Sequence, residues 1–152
     1  MSFNKFAAVA ASGLLMFGAA QLSHAEELLV TSVAKAKGSV FSVDVMTEGA
    51  AVALQFNIAL PKGVLPEQVD LSKCVADLPK SHKGQCSVAK GQIIGIVYND
   101  QNVALPAGVV SIGKIGLNNG AAKSAKLSVA YFEVNDASAR ELPVSSRVSQ
   151  EK

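Results

Sequence analysis

Tryptophan is absent from this 152-residue chain, and two tyrosines and six phenylalanines are its only aromatic residues. A sugar-binding platform stacks flat rings in a row, and alternation sends most of Phe41, Phe56, Tyr98, Tyr131 and Phe132 toward a core, so such a row is poorly supported. Histidine is nearly as scarce, with His24 near the start and His82 in a polar stretch flanked by lysines. A general base needs an oriented partner in a dry cleft, and a lone loop histidine is expected to be solvated. There is no Gly-x-Ser-x-Gly elbow and no phosphate-cradling glycine loop before a helix, and the carboxylates are scattered. No catalytic set converges, so the chain is not expected to be an enzyme, and no cofactor is implied. Clustered Lys/Arg is missing too, which excludes a nucleic-acid groove. Long apolar runs are confined to the first 25 residues.

That first stretch reads as a cleaved export signal. Lys5 is its one charge, Phe6 to Leu22 is small and apolar, and Ser23-His24-Ala25 places small residues at −3 and −1. The run is short and rich in Ala and Gly for a membrane anchor. Cleavage after Ala25 leaves 127 residues, one domain's worth, with 13 basic against 12 acidic side chains and no later span. The expectation is a soluble exported protein, periplasmic or extracellular, with one domain over 26–144 and a polar, frayed tail over 145–152.

Export leads into an oxidising compartment, so the two cysteines, Cys74 and Cys86, are expected to form a disulfide. The bridge would staple a turn-rich segment with little core of its own, contributing on the order of 3 kcal/mol through loop entropy. The competing arrangement is a metal held by Cys74, His82 and Cys86, but it lacks a fourth ligand and a usual zinc spacing. Asn99-Asp100-Gln101-Asn102 and Asn135-Asp136 are oxygen-rich enough to suggest calcium. They match no EF-hand loop, however, and turns favour the same residues.

What the chain does have is a period of two. In Val52–Leu60, Val52, Leu54, Phe56, Ile58 and Leu60 share one face, and Ala53, Gln55, Asn57 and Ala59 the other. Strands are likewise expected over Leu28–Ala34, Ser39–Met46, Gln92–Tyr98, Val109–Leu117 and Lys126–Val134. The last three are apolar on both faces or alternate imperfectly. Turn signals at Gly38, Glu48-Gly49, Pro61-Lys62-Gly63, Asn99-Asp100, Pro106-Ala107-Gly108 and Asn118-Asn119-Gly120 separate the runs. Short strands at this spacing indicate a sandwich or barrel.

The order of these segments resembles the cohesin domain, the receptor module of cellulosome scaffolds. The resemblance runs through Leu29–Ala34 and Val40–Val45, Val52–Ile58 with the Leu60-Pro61…Val64-Leu65 corner, Gln92–Asp100, Gly108–Ile115, and Leu127–Asp136 with Leu142. It implies an all-β jelly-roll β-sandwich of about nine strands in which one sheet face receives a dockerin, a calcium-loaded helical partner. Carried over position by position, it implies Gln55, Asn57, Val97, Asn99 and Asp100 as outward, partner-binding residues. Two features depart from the pattern: Pro61-Lys62 stands where an aspartate–proline corner is usual, and the Cys74–Cys86 segment is additional. The leading expectation is therefore an exported, non-catalytic module that binds a protein partner, dockerin-like or another exported protein. The alternatives are a carbohydrate-binding module for polysaccharide and a structural subunit of a surface fibre or matrix.

Overall fold

The computed structural model describes residues 25–152, so nearly all of the expected export signal lies outside the described residues. The described chain folds as two stacked sheets of nine strands: β1 (Glu26–Lys35), β2 (Gly38–Thr47), β3 (Ala53–Ala59), β4 (Val69–Asp70), β5 (Lys83–Ala89), β6 (Gln92–Tyr98), β7 (Gly108–Leu117), β8 (Ser128–Asn135) and β9 (Val144–Glu151). One sheet has the order β4-β7-β2-β1-β9 and the other β5-β6-β3-β8. Every pairing is antiparallel except β1 with β9, which is parallel. This is the expected all-β sandwich.

Alternation builds the core. Leu28 and Val30 of β1, Phe41, Val43 and Val45 of β2, and Leu54, Phe56 and Ile58 of β3 all point between the sheets, at most 2% exposed. Phe56 sits centrally, and its cross-strand neighbour on β6 is Gly95. A Cβ built on Gly95 would stand 2.1 Å from Phe56 Cζ, so the ring occupies the space the glycine leaves.

Two bulges explain the strands whose alternation is imperfect. In β7, Val43 pairs with Gly113 but Asp44 pairs with Ser111, so Ile112 is the additional residue. The inward set then passes from Val110 and Ile112 to Ile115 and Leu117, and Lys114 turns outward. In β8, Asn57 pairs with Tyr131 and Ile58 with Val129, so Ala130 is the additional residue. Leu127 and Val129 face inward before it, Phe132 and Val134 after it.

The cysteines are joined, Cα to Cα 6.4 Å apart. Both thiols are thereby used, which removes the Cys74–His82–Cys86 metal set. Cys74 follows β4 at one sheet's edge and Cys86 lies on β5 at the other's, so the bond ties the two sheets along one side. The intervening segment is seated on the β7 bulge: Lys114 N donates to Lys73 O at 2.9 Å and Asp77 N to Ile112 O at 3.0 Å. Gly113 permits the approach, since a Cβ there would lie 2.3 Å from the carbonyl oxygens of Lys73 and Cys74.

The end of the chain differs from expectation. Residues 145–152 are not a frayed tail, because Val144–Glu151 pairs in register with β1 from Glu26↔Val144 to Val33↔Glu151. Val144 and Val148 pack on the core, Thr31 and Ser149 share a hydroxyl hydrogen bond, and Arg147 grips Glu27 with two. A strand that is mostly polar is stabilised here by its ladder and by two inward valines.

Candidate functional site

The outer surface of the β5-β6-β3-β8 sheet is an open face. Its rows follow from register: Gln55 lies between Ile96 and Glu133, and Asn57 between Ile94 and Tyr131. Gln85 and Ser87 extend these rows onto β5, and Lys83 lies opposite Tyr98. Ile96, Tyr98 and Tyr131 are 36%, 39% and 42% exposed, among the most exposed large apolar side chains of the described residues.

The polar groups between them are held in place by one another. Gln55 Nε2 donates to Asn57 Oδ1 at 3.1 Å, and Asn57 Nδ2 donates to Gln92 Oε1 at 2.9 Å. On β8, Glu133 accepts from the Tyr131 hydroxyl and, at 2.8 Å, from Asn135 Nδ2. The Tyr131 hydroxyl, and after it the Asn135 amide, hold the Glu133 carboxyl below the ordinary carboxylate range, while the same bond pushes the Tyr131 phenol up. Glu133 is thus an oriented, ionised carboxylate within the face. At the end of the face Lys83 pairs with Asp100, and that hydrogen bond and charge hold the lysine's pKa up.

The residues expected from sequence divide. Gln55 and Asn57 stand on the open face. Val97 does not: it is fully buried, paired with Leu54 and packed in the core. On β6 the outward residues are Gln92, Ile94, Ile96 and Tyr98. Because both faces of that strand are apolar, its phase could not be read from alternation, and Gly95 beneath the Phe56 ring sets it. Asn99 lies past the strand end and shapes the loop, donating to Ser81 O at 2.6 Å and accepting from Gln101 N and Val103 N at 2.7 and 3.0 Å. Asp100 borders the face, engaged by Lys83. Asp136 likewise serves its own turn, accepting from the backbone of Ser138 and Arg140 and from the Arg140 guanidinium.

Sequence reasoning missed Ile96, Tyr98, Tyr131 and Glu133. Of the five described aromatic residues, Phe41, Phe56 and Phe132 pack in or against the core, as expected for most of them, and Tyr98 and Tyr131 lie outside. The Gln55/Asn57 parity, transferred across the Phe56–Gly95 pair, would have located Ile94, Ile96 and Tyr98. The Ala130 bulge hid Tyr131. His82 also departs from expectation, being 6% exposed rather than solvated.

An open, amide-lined sheet face with aromatic and aliphatic flanks lies on a two-layer, all-β sandwich. No family model matches the chain, and no curated protein matches it. Solved structures do. A non-cellulosomal cohesin from the archaeon Archaeoglobus fulgidus aligns with a TM-score of 0.61 at 14% identity, over 85% of this chain and 93% of that one. A type I cohesin–dockerin complex from Clostridium thermocellum aligns at 0.56 and 10% identity, over 84% and 96%. A type II cohesin domain from the Acetivibrio cellulolyticus cellulosome aligns at 0.56 and 10%, over 82% and 92%. The fold is that of a cohesin-like β-sandwich, with the disulfide strap between β4 and β5 built into it.

Proposed function

We propose that this protein is a non-catalytic module that binds a protein partner through the open face of the β5-β6-β3-β8 sheet. The observation that carries the reading is the composition of that face: Ile94, Ile96, Tyr98 and Tyr131 surround a hydrogen-bonded row of amides and one fixed carboxylate. Exposed aromatic and aliphatic side chains in a patch with amides and few charges are the chemistry of a protein-recognition surface. The solved structures of similar fold include cohesins crystallised with dockerins, which supports a polypeptide ligand. A disulfide-closed edge fits an oxidising compartment, consistent with export to the periplasm or beyond.

Affinity capture from the exported proteome tests this. The wild-type protein is expected to retain a defined polypeptide, and I96D/Y98A to lose it. M46D/V109D, on the opposite sheet, is expected to keep it, since Met46 and Val109 are exposed and paired there. Equal retention by all three proteins, or no specific retention, would overturn the proposal.

The exposed Tyr98 and Tyr131 favour one second reading, a polysaccharide laid across the same face. Retardation in gels cast with soluble polysaccharides, abolished by Y98A and Y131A, would establish it in place of the first.

A further inference from the structure

His82 lies where the disulfide strap returns to β5, enclosed at 6% exposure with its Nε2 buried and without a hydrogen-bond partner. Its Nδ1 lies 2.9 Å from Ser81 Oγ. Main-chain groups of Val103 and Val52 stand near the ring and favour its protonated form, but burial outweighs them and holds its pKa below the usual imidazole value. Around it the Asn99–Leu105 loop is tied down: Asn99 Nδ2 to Ser81 O at 2.6 Å, Val103 N to Asn99 Oδ1 at 3.0 Å, and Leu105 N to Ala51 O at 2.7 Å. The charged groups on the surrounding elements are Asp77, Lys80 and Lys83 on the strap and the start of β5, and Asp100 on the facing loop, whose carboxylate Lys83 already engages; Asp77 is exposed on the strap, where its N–H donates to Ile112 O. Tyr98 ends β6 beside Lys83, and Ala51–Val52 brings no ionisable group. None of these charges acts on the ring in its enclosure.

We propose that His82 is an acid-operated latch: neutral, it seats the Asn99–Leu105 loop, and protonated, it releases that loop and the Asn99–Asp100 border of the open face. The ring takes its proton more readily with the loop lifted, because in the closed site burial penalises the imidazolium by more than the main-chain groups of Val103 and Val52 favour it. The lifted population then rises as pH falls below the ordinary imidazole value, by up to tenfold per unit. Loss of partner binding in acid is a consequence that rests on the face being the binding site. The latch itself does not.

The test uses the full chain, with His82 as the ring resonance missing from H82Q. NMR titration is expected to give a His82 midpoint below 6.5, the reference imidazole value. Amide hydrogen exchange at Val103 and Leu105 is expected to lose protection, corrected for intrinsic rate, by up to tenfold per pH unit below 6.5. Phe56 and Ile58 in the core are expected to hold theirs over the same range. In H82Q and H82F the Val103 and Leu105 protection is expected to be flat with pH. If His82 titrates at or above 6.5, or if Val103 and Leu105 stay protected while the ring protonates, the latch is overturned. Wild-type data alone decide this if neither variant folds. A latch that works in a protein that retains no polypeptide would leave it intact and remove only the proposed function.

Discussion

A methyl group added at Gly95 should destabilise this protein through one ring. The Cβ of G95A would lie 2.1, 2.4 and 2.7 Å from Cζ, Cε1 and Cε2 of Phe56, distances at which the ring must move. Phe56 is fully buried, so any movement pushes on the rest of the core. Overpacking of an enclosed site costs about 3 kcal/mol at the upper end of its usual range. Replacing a strand glycine returns about 0.5–1 kcal/mol of backbone entropy, which leaves a net loss of about 2–2.5 kcal/mol. F56L alone should cost about 1–3 kcal/mol by leaving a cavity. Together the two changes should cost at least about 1 kcal/mol less than their sum, because the smaller side chain vacates the space the methyl needs. Urea unfolding of the wild type and the three variants measures the cycle. Losses that add to within about 0.5 kcal/mol would refute the account of how Phe56 and Gly95 pack.

Other outcomes follow from the same structure. The C74S/C86S protein should remain a folded sandwich but lose about 3 kcal/mol to chemical denaturation, as expected for a bridge closing a loop of 12 residue steps; an unchanged midpoint would contradict the strap's role. Deleting Val144–Glu151 should cost about 2–4 kcal/mol, since Val144 and Val148 leave the core and the edge of β1 is bared, whereas removal of a frayed tail would stay within about 0.5 kcal/mol. V97D should cost more than about 4 kcal/mol or prevent folding, because it buries a charge opposite Leu54. I96D should leave thermal unfolding within a few degrees of wild type, and the two variants together read the phase of β6 by stability alone.

The sequence was legible where one face is apolar and the other polar. The alternation in β3 fixed both its core set and the outward positions Gln55 and Asn57, and the same logic held for the inward face of β2. It failed in three physically distinct ways. On β6 both faces are apolar, so parity was undetermined, and Val97 was placed outside when Ile96 and Tyr98 are the residues there. On β7 and β8 a bulge changes parity within the strand, and such a residue leaves no mark in composition. On β5 and β9 the inward residues are too few or too small to give a signal: Gly84, Cys86 and Val88 on one, Val144 and Val148 on the other. Those strands are specified by partners distant in sequence, the disulfide and the β1 edge. His82 belongs with them, because its burial comes from a loop some twenty residues further on.

The central claim is that the open β5-β6-β3-β8 face meets a protein partner, and methyl NMR of the captured complex tests it most directly. The chain has six isoleucines. Ile94 and Ile96 lie on that face, whereas Ile58, Ile93, Ile112 and Ile115 are buried. Met46 is exposed on the other sheet. With isoleucine and methionine methyls labelled, adding the partner should shift Ile94 and Ile96 and leave Met46 unmoved. A shift at Met46 with Ile94 and Ile96 unchanged would contradict the account and place binding on the opposite face.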